Sequence, residues 1–137
     1  MHLPNITAGY LALLALFYAA LTLRVIRLRQ GNRAAFGDGD NTRLRSAIRA
    51  HSNFIEYVPI ITLMVGFLEI SGASALRIHL LMAALLVSRL LHPLGMYAAP
   101  NTLPFRLGRV GGMTLTIILL FSCAASILFR LVRDGSG

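Results

Sequence analysis

The sequence predicts an all-α membrane protein, a four-transmembrane-helix bundle, on three observations. Of the 137 residues 56% are hydrophobic and only 13% are charged, more apolar surface than a soluble domain of this length carries. Mean hydropathy is +0.71. The apolar residues gather into four stretches, each close to the roughly 20 helical residues needed to cross a ~30 Å hydrocarbon core. One domain, residues 1–137, accounts for the chain.

The first stretch runs from Ile6 to Leu23 without a charge, in a helix from about Ile6 to Arg29. Its small residues Ala12, Ala15, Ala19 and Ala20 allow close packing. A signal peptide carries its positive charges before the apolar run, whereas Arg24, Arg27, Arg29 and Arg33 follow it here. That order predicts a retained helix.

Gln30 to Asn41 is then a turn around Phe36-Gly37-Asp38-Gly39-Asp40-Asn41, since Gly, Asp and Asn tolerate or stabilise turn conformations. Its spacing superficially suggests a calcium loop. No glutamate closes it at the required place, so a solvated turn is expected and no metal ligands are assigned.

Thr42 is placed to cap the second helix, which runs to about Ile70 and holds the apolar stretch Tyr57 to Leu68. Ser71 to Ser74 is a short turn, so the second and third helices form an antiparallel hairpin. The third stretch, Ile78 to Tyr97, has Arg89 as its one formal charge, and Pro93 is expected to bend it. Ala98 to Pro104 is an irregular connector. The fourth helix starts near Phe105, is apolar from Val110 to Phe129 and ends around Arg133, ahead of a frayed tail, Asp134 to Gly137. Cys123, the single cysteine, lies in its middle and reads as a small apolar residue.

The net charge of +8 with pI ≈ 11.3 invites a nucleic-acid reading, but the position of the charge favours topology. All 13 basic residues are arginine, and nine of them (24, 27, 29, 33, 43, 45, 49, 106 and 109) fall on one side of a four-helix layout. Arg77, Arg130 and Arg133 fall on the other. Positive residues concentrate on the cytoplasmic side, so loops one and three are expected in the cytoplasm and both termini outside, with membrane lipids rather than nucleic acid as surroundings. A multi-pass protein of a bacterial inner membrane is the expected setting.

The second helix carries the most informative pattern. Arg49, Asn53 and Glu56 stand at i, i+4 and i+7 and return to within roughly 40° of one another at about 100° per residue. Arg45 extends this seam one turn back. A charge in a membrane span costs on the order of 3 kcal/mol, so such residues usually face the protein interior and serve a function. Arg89 and His92 form a second polar face on the third helix, continued by Met96, and Arg106 and Arg109 sit where the fourth begins. An intramembrane ion pair or interfacial anchoring is the structural alternative. Guanidinium groups bind carboxylates bidentately, and strongly where water is scarce. Several arginines, one carboxylate and one amide therefore suit a small, multiply anionic ligand with one cationic group. Glutathione meets that description, and an arginine beside its thiol would favour the reactive thiolate.

Arg49-Ala50-His51-Ser52-Asn53-Phe54-Ile55-Glu56, followed by Pro59, resembles the R-A-x-x-N-x-x-E…P signature of the MAPEG family, the membrane-associated proteins in eicosanoid and glutathione metabolism. The four-helix layout, Arg89-x-x-His92 and an arginine opening the fourth helix extend the resemblance over the whole chain, and the short loops look like the bacterial branch. The resemblance implies a homotrimer with glutathione between adjacent subunits. By it, Arg27, Arg49, Asn53, Glu56, Arg89 and His92 would bind glutathione. Arg109 would stand beside the thiol as the catalytic residue, with Arg106 as the competing assignment. Three departures stand out: Val110 where the prostaglandin synthase type has serine, Met96 in place of a tyrosine, and Ser52 in place of an arginine found in some members.

The expected activity is that of a microsomal-type glutathione transferase or peroxidase acting on a small hydrophobic electrophile from the bilayer. The alternative is a non-catalytic membrane protein binding glutathione or an amphipathic lipid ligand. A transporter is disfavoured, because the charges cluster at one end instead of near the midplane.

Overall fold

The computed structural model describes residues 3–99 and 101–135, with side chains through 133. Helices α1 (Asn5–Asn32), α2 (Thr42–Ile70) and α3 (Ala75–Tyr97) are each long and apolar enough to cross a membrane. The fourth span, Leu103–Arg133, is also long enough but is not one regular helix. It begins as α4 (Leu103–Phe105), widens into a π-helical turn (Arg106–Gly111) and continues as α5 (Gly112–Gly135). No strand occurs among the described residues. The tail expected to fray, Asp134 to Gly137, lies outside them apart from the helical backbone to Gly135.

The helix ends show local chemistry that refines the expected boundaries. Asn41, not Thr42, caps α2: its Oδ1 accepts from Arg43 N at 2.9 Å and Leu44 N at 3.0 Å. An amide oxygen one residue earlier reaches the orphan N–H groups better than the hydroxyl of a threonine already inside the first turn. Helix α2 closes on Gly72, whose φ of 80° suits glycine and lets Ala73 N reach Leu68 O at 3.0 Å. Helix α1 closes the same way but on Arg33, with φ 51°, a left-handed conformation that a side chain adopts only at a cost.

The start of α1 follows Pro4, which offers no capping side chain. Glu69, one residue before the end of α2, supplies the cap instead. Its carboxylate accepts from Ile6 N (2.9 Å), Thr7 N (2.8 Å) and Thr7 Oγ1 (2.6 Å). A carboxylate on the positive end of a helix is favourable on both hydrogen-bond and dipole grounds. This residue was not singled out by its local sequence.

Along α2, Ala50, Phe54, Val58, Ile61, Val65 and Leu68 recur at three- and four-residue spacing and are all buried. All but Ala50 pack with Leu14 and Leu21 of α1, Ile78, Met82 and Leu85 of α3, and Leu119 and Cys123 of α5. Cys123 is thus a fully buried core residue, as expected. Pro59 removes one backbone donor within α2, and Thr62 Oγ1 bonds back to Val58 O (2.7 Å) and Pro59 O (3.1 Å). Helix α3 continues through Pro93 to Tyr97.

The tightest crossing is between α3 and the π-helical turn. A methyl group on Gly95 would overlap the backbone nitrogen of Arg109 and come within 2.7 Å of Gly108 C. One on Gly108 would lie 2.6 Å from Leu91 O, and one on Gly112 would lie 3.1 Å from Ser88 O. Only glycines let these backbones touch. The contact presses the start of the fourth span onto the face of α3 that carries Ser88 and His92.

Candidate functional site

The polar seam of α2 lies beside its buried apolar stripe, one position earlier at Arg49 and Asn53. A residue so placed sits at the edge of the helix–helix contact instead of inside it. Opposite stands α5, delivered by the glycine crossing. Between them is a groove of about 580 Å³ lined by Arg49, Ser52, Asn53 and Glu56 of α2, His92 and Met96 of α3, and Arg109, Val110, Met113, Thr114 and Ile117 of the fourth span.

Five of the eight sequence-assigned residues therefore meet in one place: Arg49, Asn53, Glu56, His92 and Arg109. Arg106 and Arg27 are exposed but do not line the groove. Arg24, near Arg27 on α1, rests its guanidinium over the Tyr97 ring at 4.1 Å and ties α1 to the end of α3. The π-helical turn bears on the choice between Arg106 and Arg109. Arg109 faces the groove, with its guanidinium 5.4 Å from the Phe105 ring centre.

Arg89 is not on the groove wall but beneath it. It is 1% exposed and donates to Asn53 Oδ1 (2.6 Å), Asn53 O (3.1 Å), Ser88 Oγ (3.2 Å) and the Thr116 hydroxyl. Thr116 in turn donates to Gly112 O at 2.7 Å. One guanidinium thus links α2, α3 and α5. No carboxylate pairs with it among the described residues; the Tyr57 ring, 5.9 Å from Cζ, is the nearest π face. Holding Asn53 Oδ1 fixes which way that amide points. Its Nδ2, turned away from Arg89, reaches only Met113 Sδ at 3.7 Å, a weak acceptor on the groove wall.

The remaining groove groups are poorly satisfied within the chain. No salt bridge joins Arg49 to Glu56 or to any other acid among the described residues, so the structural ion-pair alternative is not realised there. His92 is 7% exposed, and its Nδ1 has no hydrogen-bond partner. Buried polar atoms are normally paired, because an unpaired one costs roughly 1–3 kcal/mol. The site therefore offers two guanidiniums, one carboxylate, an amide N–H and an imidazole nitrogen, with an apolar flank of Val110, Met113 and Ile117 running toward the bilayer interior. Such a surface can hold an anionic polar molecule beside an apolar one.

Sequence reasoning missed Met113, Thr114 and Ile117 as lining residues. The spacing of Met113 and Ile117, four and eight from Arg109, would have placed those two toward its helical face, whereas Thr114, five away, gives no such signal. The third polar partner of Arg89, Thr116, is one hydroxyl in an apolar span and gives no comparable signal. His51, expected to pack off the seam, stacks on Tyr18 at 4.8 Å and lies 3.2 Å from Thr22 Oγ1.

Comparison with known proteins places these observations. A model of the MAPEG family matches residues 7–129. The chain is similar to the inner membrane protein YecN of Escherichia coli strain K12, with 39% identity over 92 residues, 67% of this chain and 70% of the relative. The YecN of strain O6:H1 gives the same figures. No solved structure matches the chain.

Proposed function

The chain belongs to the MAPEG family, and on that premise we propose that its polar groove binds glutathione and serves a glutathione transferase or peroxidase acting on hydrophobic electrophiles. The observation that carries this reading is the convergence of Arg49, Asn53, Glu56, His92 and Arg109 on one groove with no ion pair between its acid and its bases. Arginines would take the two carboxylates of glutathione, Glu56 its ammonium, and the Asn53 amide a peptide carbonyl. Arg109 would stand by the thiol and favour the thiolate, whose sulfur forms the new C–S bond as a halide or other leaving group departs with the electron pair.

The reading extends to the assembly and the membrane. A homotrimer is proposed from the family, with Arg27 of α1 free to face a neighbouring copy because it lies outside this groove. Location in a bacterial inner membrane is supported by the relatives and by four membrane-length helices. Loops one and three are assigned to the cytoplasm on the arginine count.

The test is conjugation of an electrophilic aryl halide with glutathione, wild type against Arg109→Ala. A fall of on the order of 100-fold is expected if Arg109 stabilises the reacting thiolate; equal rates would remove that role. A non-catalytic binding protein is the second reading. Val110 favours it, since an apolar side chain lines the groove beside Arg109 where a hydroxyl could assist chemistry. Glutathione binding without turnover on a broad electrophile panel would select it.

A further inference from the structure

Charge asymmetry assigns nine of the 13 arginines to one membrane face and leaves Arg77, Arg130 and Arg133 at the other, where arginine is disfavoured. The fold brings all three together. Arg77 on α3 and Arg130 and Arg133 on α5 line a cleft of about 320 Å³ with Ala125, Ser126 and Phe129. No carboxylate lines it among the described residues. The one acid described nearby on α2, Glu69, is engaged by the start of α1.

Arg77 and Arg130 spend little of their donor capacity within the chain. Arg77 Nη2 donates to Ser126 Oγ, and Arg130 Nη1 donates to the Ser71 carbonyl. A guanidinium carries five N–H donors, so both retain several. Arg77 and Arg130, held on one cleft, repel one another unless an anion lies between them. That repulsion is stronger at the membrane boundary, where the dielectric constant is below that of water.

The geometry points to a binding site for the headgroup of an anionic phospholipid in the leaflet opposite the polar groove. A phosphodiester offers the acceptor oxygens that arginine forks match. The exposed Phe129, Ala125 and Phe121, each one turn from the next, provide an apolar track for an acyl chain running toward the bilayer centre. That track distinguishes a lipid from a soluble anion, and a cleft that sets Arg77 and Arg130 together with no carboxylate among its described lining favours an anionic headgroup over a zwitterionic one. This site is independent of the glutathione reading.

The test uses the full chain purified in detergent, titrated with phosphatidylglycerol or phosphatidylcholine of identical acyl chains and followed by native mass spectrometry. Wild type should retain phosphatidylglycerol in preference to phosphatidylcholine. Arg77→Gln should weaken the tightest phosphatidylglycerol roughly fivefold, the value of one arginine near an anionic lipid surface. Arg77→Gln with Arg130→Gln should abolish the preference, and Arg43→Gln, which removes the same charge at the other end, should preserve it. Should the double variant fail to fold, because Arg130 also holds the Ser71 carbonyl, Arg77→Gln alone decides. Equal retention of the two lipids, unchanged affinity in Arg77→Gln, or displacement by millimolar inorganic phosphate without lipid preference would each overturn the assignment.

Discussion

Glu56 and Glu69 stand 13 residues apart on the same helix and meet opposite fates. Glu69 accepts three hydrogen bonds from the first turn of α1, so its charge is spent on holding two helices together. Glu56 is exposed on a groove wall and has no ion pair among the described residues. A carboxylate near a membrane is costly in both places. Only at Glu69 does the chain itself recover that cost, which leaves Glu56 as a group held for something else.

The contrast is broken most severely by attacking the crossing that builds the groove. Gly108→Ala or Gly95→Ala forces a methyl group into backbone, and both should lose several kcal/mol and much of the folded yield in detergent, in line with overpacking of a close contact. Size-exclusion profile and melting temperature report this; a native-like melt would show that the two backbones can separate cheaply.

Glu69→Gln should come next, at on the order of 2–3 kcal/mol, since charge-assisted bonds to a helix start are lost. Glu56→Gln should leave the melting temperature of the free protein unchanged or raise it slightly. If the two variants melt alike, the distinction between staple and site is wrong.

The same pair is separated by ligand. Glutathione at about 100 times its Kd should stabilise wild type by about 2.7 kcal/mol by mass action. Glu69→Gln should keep that increment from its lower baseline, whereas Glu56→Gln should lose most of it. Arg89→Met sharpens the point. Removing that guanidinium leaves the Asn53 and Thr116 oxygens without their donor, at roughly 1–3 kcal/mol of stability, and frees the Asn53 amide to turn, so a loss of glutathione affinity beyond what the lowered stability explains is expected.

The smallest effect belongs to the loop between α1 and α2. Asp38 accepts from the Arg45 guanidinium, which holds its carboxyl below the usual carboxylate range. A lowered folded pKa means that the contribution is complete above the unfolded value of about 3.9 and disappears as pH falls through the folded one. Asp38→Asn should therefore remove a slight acid sensitivity of the melt and leave ligand binding untouched.

The polar seam was legible because helical periodicity is local: Arg49, Asn53 and Glu56 announce a shared face whatever they pack against. The four spans were legible for the same reason, their composition following the thickness of hydrocarbon. Glu69 was not, because the donors that explain it come 62 and 63 residues earlier in the chain. Arg89 was visible as a buried charge, but its place beneath the wall depends on Thr116 and Asn53 arriving from two other helices. The π-helical turn was hidden as well, since Arg106 to Gly111 reads equally well as an ordinary helix. Its glycines hinted at a close approach without saying to what.

The glycine crossing also settles how the groove can breathe. With α3 and the fourth span in backbone contact, His92 and Arg109 belong to one stiff jaw whose opening angle is not adjustable. The opposite jaw, α2, meets that block through side chains and is tethered to α1 at its far tip by Glu69. Between the two jaws the Arg89 guanidinium pins Asn53 to Thr116 under the groove floor, so any widening has to break those bonds first.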